Sequence, residues 1–98
     1  MATDRTGDAA SASRSVVIRG ALGLHARPAA RFVKLASSFA SEIEVTAKGI
    51  TVSGRSIMGL MMLGAGDGTE LAISACGPDA VAAVDALCRF IAGGFAEG

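Results

Sequence analysis

The chain contains no tryptophan and no tyrosine; its aromatic side chains are four phenylalanines among 98 residues, and its formal net charge is zero. A protein that grips single-stranded nucleic acid needs stacking rings and a basic surface, so this composition argues against nucleic acid as a partner. Cysteine is nearly as scarce. Cys76 and Cys88 are too few for a secreted disulfide scaffold and lack paired metal-ligand spacing, so both are expected to be reduced, small, partly buried side chains. The sequence has one histidine, no glycine-rich nucleotide loop and no metal-binding cluster, and neither cofactor nor metal is expected. No signal-peptide core precedes a processing site. The apolar run Ile57 to Leu63 is broken by Gly59 and is far too short to span a bilayer, so the expected compartment is the cytoplasm, without membrane insertion.

Hydrophobic residues make up 51% of the chain against 18% charged, enough for one packed core in a chain too short for two ordinary domains. Residues 1–14 are mostly Ala, Ser, Thr, Asp and Gly without apolar periodicity, and read as a flexible tail ahead of a single domain over 15–98. Charge is unevenly spread. Residues 14–55 carry seven basic side chains against Glu42 and Glu44, whereas residues 56–98 carry Arg89 against five acids. No acid lies between Arg14 and Lys34, which predicts a local positive surface able to steer an anionic or acidic partner.

Ser15 to Arg19 is β-branched enough for a strand, ended by Gly20. Pro28 belongs in the first turn of a helix, where its missing N–H removes no hydrogen bond, and the spacing predicts a helix over 26–37. Ala29, Phe32, Val33, Ala36 and Phe39 form its apolar stripe, with Arg27, Arg31 and Lys34 more exposed. Period-two alternation over 43–53, interrupted by Lys48-Gly49, predicts an antiparallel hairpin. Ser56 can cap a short helix over 57–63, whose Met and Leu side chains exceed what one face of two turns can bury. That segment is either deeply packed or partly an apolar docking patch. Residues 69–75 read as the last strand. Gly77-Pro78-Asp79 then opens a helix with the stripe Val81, Val84, Leu87, Cys88 and Ile91. The order predicts an α+β fold, a four-stranded antiparallel sheet covered on one face by helices. Its other face, with Glu42, Glu44, Thr46, Thr51 and Ser53, should meet water.

The chemistry concentrates around His25, delivered to the helix start by a loop punctuated by Gly20 and Gly23. A neutral imidazole nitrogen is a nucleophile near neutral pH, and a phosphoryl group there would meet helix amides and the Arg27 guanidinium. No second acid or base lies near His25 in sequence, so the pattern is that of a phosphoryl acceptor whose partners supply most of the catalysis, not of an enzyme.

Gly23-Leu24-His25-Ala26-Arg27-Pro28-Ala29, together with Arg55-Ser56-Ile57-Met58-Gly59-Leu60-Met61, resembles HPr, the histidine-containing phosphocarrier family of the bacterial phosphoenolpyruvate-dependent phosphotransferase system. The resemblance covers residues 15 to about 95. It implies an open-faced β-sandwich with four antiparallel strands and three helices. It also implies that His25 receives phosphate on Nδ1 from phosphorylated enzyme I and passes it to an enzyme IIA-type domain or regulatory acceptor in sugar transport or regulation. Arg27 would hold the phosphoryl oxygens. Leu24, Ala26, Arg31, Ile57, Met58 and Met61 would form the partner interface. Ser56 would be a regulatory site for an ATP-dependent HPr kinase/phosphorylase, which makes a Ser56-controlled binding module acting on kinase or transcription-factor partners the alternative reading. A monomer is expected. Gly77-Pro78-Asp79 and the ending Gly94-Phe95-Ala96-Glu97 resemble nitrogen-related carriers, whereas Ser56-Ile57-Met58-Gly59 resembles serine-regulated sugar-system members.

Overall fold

The computed structural model describes residues 10–19 and 26–93. Their elements are β1 (Ala10–Val17), α1 (Ala26–Ala36), β2 (Glu42–Ala47), β3 (Ile50–Ser53), α2 (Ile57–Met62), β4 (Glu70–Gly77) and α3 (Ala80–Ala92). The four strands form one antiparallel sheet in the order β1-β4-β2-β3. Thus the α+β class and the open-faced architecture expected from the sequence are both present. Among the described residues no helix is long and apolar enough to cross a membrane.

The two central strands, β2 and β4, expose and bury alternate side chains, as period-two patterning requires. In β2, Ile43, Val45 and Ala47 are buried while Glu42 and Glu44 are exposed; in β4, Leu71, Ile73 and Ala75 are buried. β2 turns into β3 through Lys48 (φ 54°) and Gly49 (φ 80°). Two positive φ values match the two-residue turn whose twist suits a hairpin, and glycine takes the second at no steric cost. Phe32 of α1, Leu60 of α2, and Val84, Leu87 and Ile91 of α3 close over Val45, Leu71 and Ile73 in one core. All of these are essentially removed from water.

Four details differ from the sequence expectation. β1 starts at Ala10, so residues 10–14, expected within the tail, are sheet: Ser11 faces Cys76 and Arg14 faces Ile73. This stretch has no hydrophobic pattern; it is held by backbone pairing to β4 and by Arg14, whose guanidinium contacts Asp85 of α3 at 3.2 Å. Residues 1–9 lie outside the described residues. Val81 is 67% exposed, and Ala80 and Ala83 take the buried positions instead. The helix presents the 80, 84, 87, 91 row to the sheet, leaving position 81 on the flank. Phe39 lies beyond the end of α1 and is half-buried. Cys76 is exposed because its place on β4 points to the open face, whereas Cys88 is buried; both are free thiols.

The link between α1 and β2 is pinned from two sides. Asp79 accepts hydrogen bonds from the Ala40 amide (2.9 Å) and the Ser41 hydroxyl (2.6 Å). Arg55 donates to the carbonyls of Phe39 (2.9 Å) and Ser41 (3.1 Å). Ser41 is fully buried, a polar group that is tolerable there because the Asp79 carboxylate takes its proton-donor bond.

Candidate functional site

His25 and Leu24, with Gly20 and Gly23, fall in residues 20–25 and lie outside the described residues. The site can be built from the next residue onward. Ala26 is the first residue of α1, so the helix begins immediately after His25 in the chain. Its first amides have no intrahelical acceptor, and aligned peptide dipoles place roughly half a positive charge at that end. No acidic side chain in the first turn offsets it. Pro28 and Ala29 turn inward and are buried, while Ala26 and Arg27 remain exposed. An anion at this end would meet backbone donors, and Arg27 is an exposed cation in the same first turn. The dipole itself contributes only about 0.3–1 kcal/mol at an exposed site, so it tunes such a site without creating reactivity.

Arg27, Arg31 and Lys34 are all exposed and follow one another at four- and three-residue intervals, forming a basic stripe along the solvent side of α1. Phe32, four residues before Ala36, faces the opposite way into the core. The same helix therefore presents charge outward because its apolar residues are committed inward.

Ser56 sits at the N-cap of α2 with extended backbone, φ −109° and ψ 109°, and its hydroxyl accepts the Gly59 N–H at 2.9 Å. It is half-buried. Gly59 allows α2 to lie close on β3, since a Cβ there would be 3.0 Å from Val52 Cβ. The packed side of α2 uses Leu60, and Leu63 follows it into the core. Ile57 (40%), Met58 (71%), Met61 (42%) and Met62 (74%) are left exposed. Of the two outcomes open for this segment, the structure shows an anchored helix carrying an apolar surface. Because α1 and α2 pack against each other, the basic stripe and this surface belong to neighbouring helices.

Helical and strand period alone do not single out Met62, although it is as exposed as Met58, nor Ile50 on β3, which is 49% exposed. The surplus of methionines was the available signal; which of them packs depends on the angle at which α2 meets the sheet. The bracing role of Arg55 was also not legible, because its carbonyl partners are 14 and 16 residues away. Among the described residues no group of three or more His, Cys, Asp or Glu could hold a metal ion.

The family model described as the PTS HPr component phosphorylation site matches residues 12–93. A phosphocarrier protein HPr of Cupriavidus necator is 44% identical over 85 residues, covering 87% of this chain and 96% of that protein. Its counterpart in Neisseria meningitidis serogroup A is 46% identical, with the same coverage of both chains. The crystal structure of HPr-C-His from Thermoanaerobacter tengcongensis superposes with a TM-score of 0.83 at 41% identity, over 89% of this chain and 98% of that one.

Proposed function

The chain belongs to the HPr family and is a phosphocarrier of the phosphotransferase system, and from that premise we propose that His25 is the residue that carries the phosphoryl group. Enzyme I is the donor and an enzyme IIA-type domain or regulatory protein the acceptor. The observation that carries the assignment is the position of His25: it directly precedes Ala26, where α1 opens with amides that have no intrahelical acceptor, an exposed Arg27 and no first-turn acid.

An imidazole nitrogen attacks phosphorus as the donor's bond to phosphorus breaks, giving phosphohistidine; the reverse sequence delivers the group to the acceptor. Arg27 stabilises the phosphoryl oxygens in both directions. The phosphorus–nitrogen bond stays labile, so the group moves on instead of being stored. The chain acts as a carrier, and its partners supply the catalytic groups. A cytoplasmic monomer is the form in which we place this activity.

Incubation with phosphoenolpyruvate and enzyme I is expected to give an acid-labile phosphate that is absent in His25→Ala; label persisting in that variant would overturn the assignment. A charge-assisted hydrogen bond contributes about 1.5–3 kcal/mol. Arg27→Ala should therefore slow transfer roughly ten- to a hundredfold in a rapid-quench assay.

A second reading concerns Ser56. Its hydroxyl sits at the N-cap directly before Ile57 and Met58, which are exposed. Phosphorylation there would add about 1.5–2 negative charges at pH 7 beside an apolar docking surface, altering which partners bind. ATP and an HPr kinase/phosphorylase should then give an acid-stable phosphate that disappears in Ser56→Ala. Failure to label the wild-type chain with a competent kinase would remove this reading and leave the His25 assignment intact.

A further inference from the structure

The three helices all lie on one side of the sheet, so the outward side chains of the strands form a second face that none of the described helices or loops is seen to cover. The strand register arranges them in rows. Ser11, Cys76 and Glu42 lie side by side across β1, β4 and β2; Ser13, Ser74 and Glu44 form the next row. These six side chains line an open depression of about 420 Å³. Small residues on the two strands at one side make it shallow, and the two glutamates on β2 border it.

Its chemistry is one-sided. Glu44 and the hydroxyls of Ser11, Ser13 and Ser74 have no hydrogen bond or ion pair among the described residues, and Glu42 has only Arg55, at 4.0 Å and at the rim. Every outward position on the described strands is free of basic side chains. By contrast, the basic stripe Arg27, Arg31 and Lys34 runs along α1, on the helical layer. A second copy stacked on this face about a two-fold axis through β2 would set one glutamate pair against another, and no outward strand position offers it a basic side chain to pair with. A guanidinium offers five donors and no acceptor, complementary to two carboxylates surrounded by hydroxyls. Residues two apart on a strand are separated by roughly 6.5–7 Å, the same repeat as alternate side chains of an extended peptide.

We propose that the open sheet face, centred on Glu42 and Glu44, is a docking surface for an extended, arginine-bearing segment of a partner protein. The site lies on the side of the sheet away from the helices, so such a partner is held while the helical face remains accessible for phosphotransfer.

The test is a titration of the ¹⁵N-labelled full chain with the synthetic peptide Ac-Ala-Arg-Ala-Arg-Ala-Arg-NH2, followed by amide shifts. Saturable shifts centred on residues 42–44 and 74–76 are expected. The peptide with citrulline in place of each arginine should not produce them. Glu44→Gln, and more strongly the Glu42→Gln/Glu44→Gln pair, should weaken the arginine peptide at least tenfold, with dispersed β4 amide signals showing that the sheet is intact. Three results would each overturn the proposal: no saturable shift at this face, shifts centred on Asp67 or Asp85 instead, or unchanged affinity in the double variant.

Discussion

Asp79 has two tasks that compete for one carboxylate. It occupies the N-cap of α3 yet makes no side-chain cap bond, because its oxygens are engaged by Ala40 and Ser41. The Ser41 hydroxyl foremost, then the Ala40 amide, hold its carboxyl below the ordinary aspartate range. A depressed folded-state pKa stabilises the fold above the unfolded value and loses that contribution as pH falls through the folded one. Urea unfolding is therefore expected to show a decline in stability below about pH 4 that is smaller in Asp79→Asn. Close by, Gly77 has φ 151°, and a Cβ there would lie 2.7 Å from the Ser41 Cα. Gly77→Ala should cost about 1–3 kcal/mol, read from the denaturation midpoint. At Ser56 the bond from the Gly59 amide is an ordinary N-cap, so Ser56→Ala should lower stability by about 0.5–2 kcal/mol even without any modification.

The elements separate anchoring from display. α2 is too short to be stable alone, and its retention depends on Leu60, which is fully buried. Leu60→Ala should cost about 2–5 kcal/mol in thermal or denaturant unfolding. Met58→Asp, at a position 71% exposed, should leave the unfolding midpoint nearly unchanged while weakening association with enzyme I in a binding titration. Equal loss of stability in the two variants would contradict this division. In α3 the phase is set by Ala80, Ala83, Val84, Leu87 and Ile91, with Asp85 turned out to meet both Arg14 and Arg89. These exposed ion pairs contribute little individually, and the Arg14 contact chiefly marks where β1 lies along α3.

Over the whole molecule, the formal net charge of zero conceals two unlike surfaces. The basic stripe of α1 lies on the helical layer, and the glutamates of β2 lie on the open sheet face. Screening shortens the reach of such fields from about 10 Å at 0.1 M salt to about 3 Å at 1 M. Stopped-flow association with enzyme I should therefore slow as salt rises, and slow less steeply in Arg31→Ala/Lys34→Ala. An apolar contact through Ile57, Met58 and Met61 would be much less sensitive to salt.

The sequence by itself determined the order and kind of the elements, because hydrophobic period is a local property: alternation around Ile43 and Val45 gives a strand, and Phe32 and Ala36 with Pro28 give a helix and its start. It also determined the family, since the segments around His25 and Ser56 carry specific motifs. Tertiary structure decided what local pattern leaves open. Residues 10–14 became strand through pairing with β4, and Val81 yielded its inward place to Ala80 and Ala83 through the way α3 meets the sheet. The same long-range geometry made Arg55 and Asp79 braces for residues 39–41, exposed Met58 and Met62 while burying Leu60, and set Cys76 beside the two glutamates. Each of these depends on groups distant in sequence meeting in space, and period and propensity contain no information about that distance.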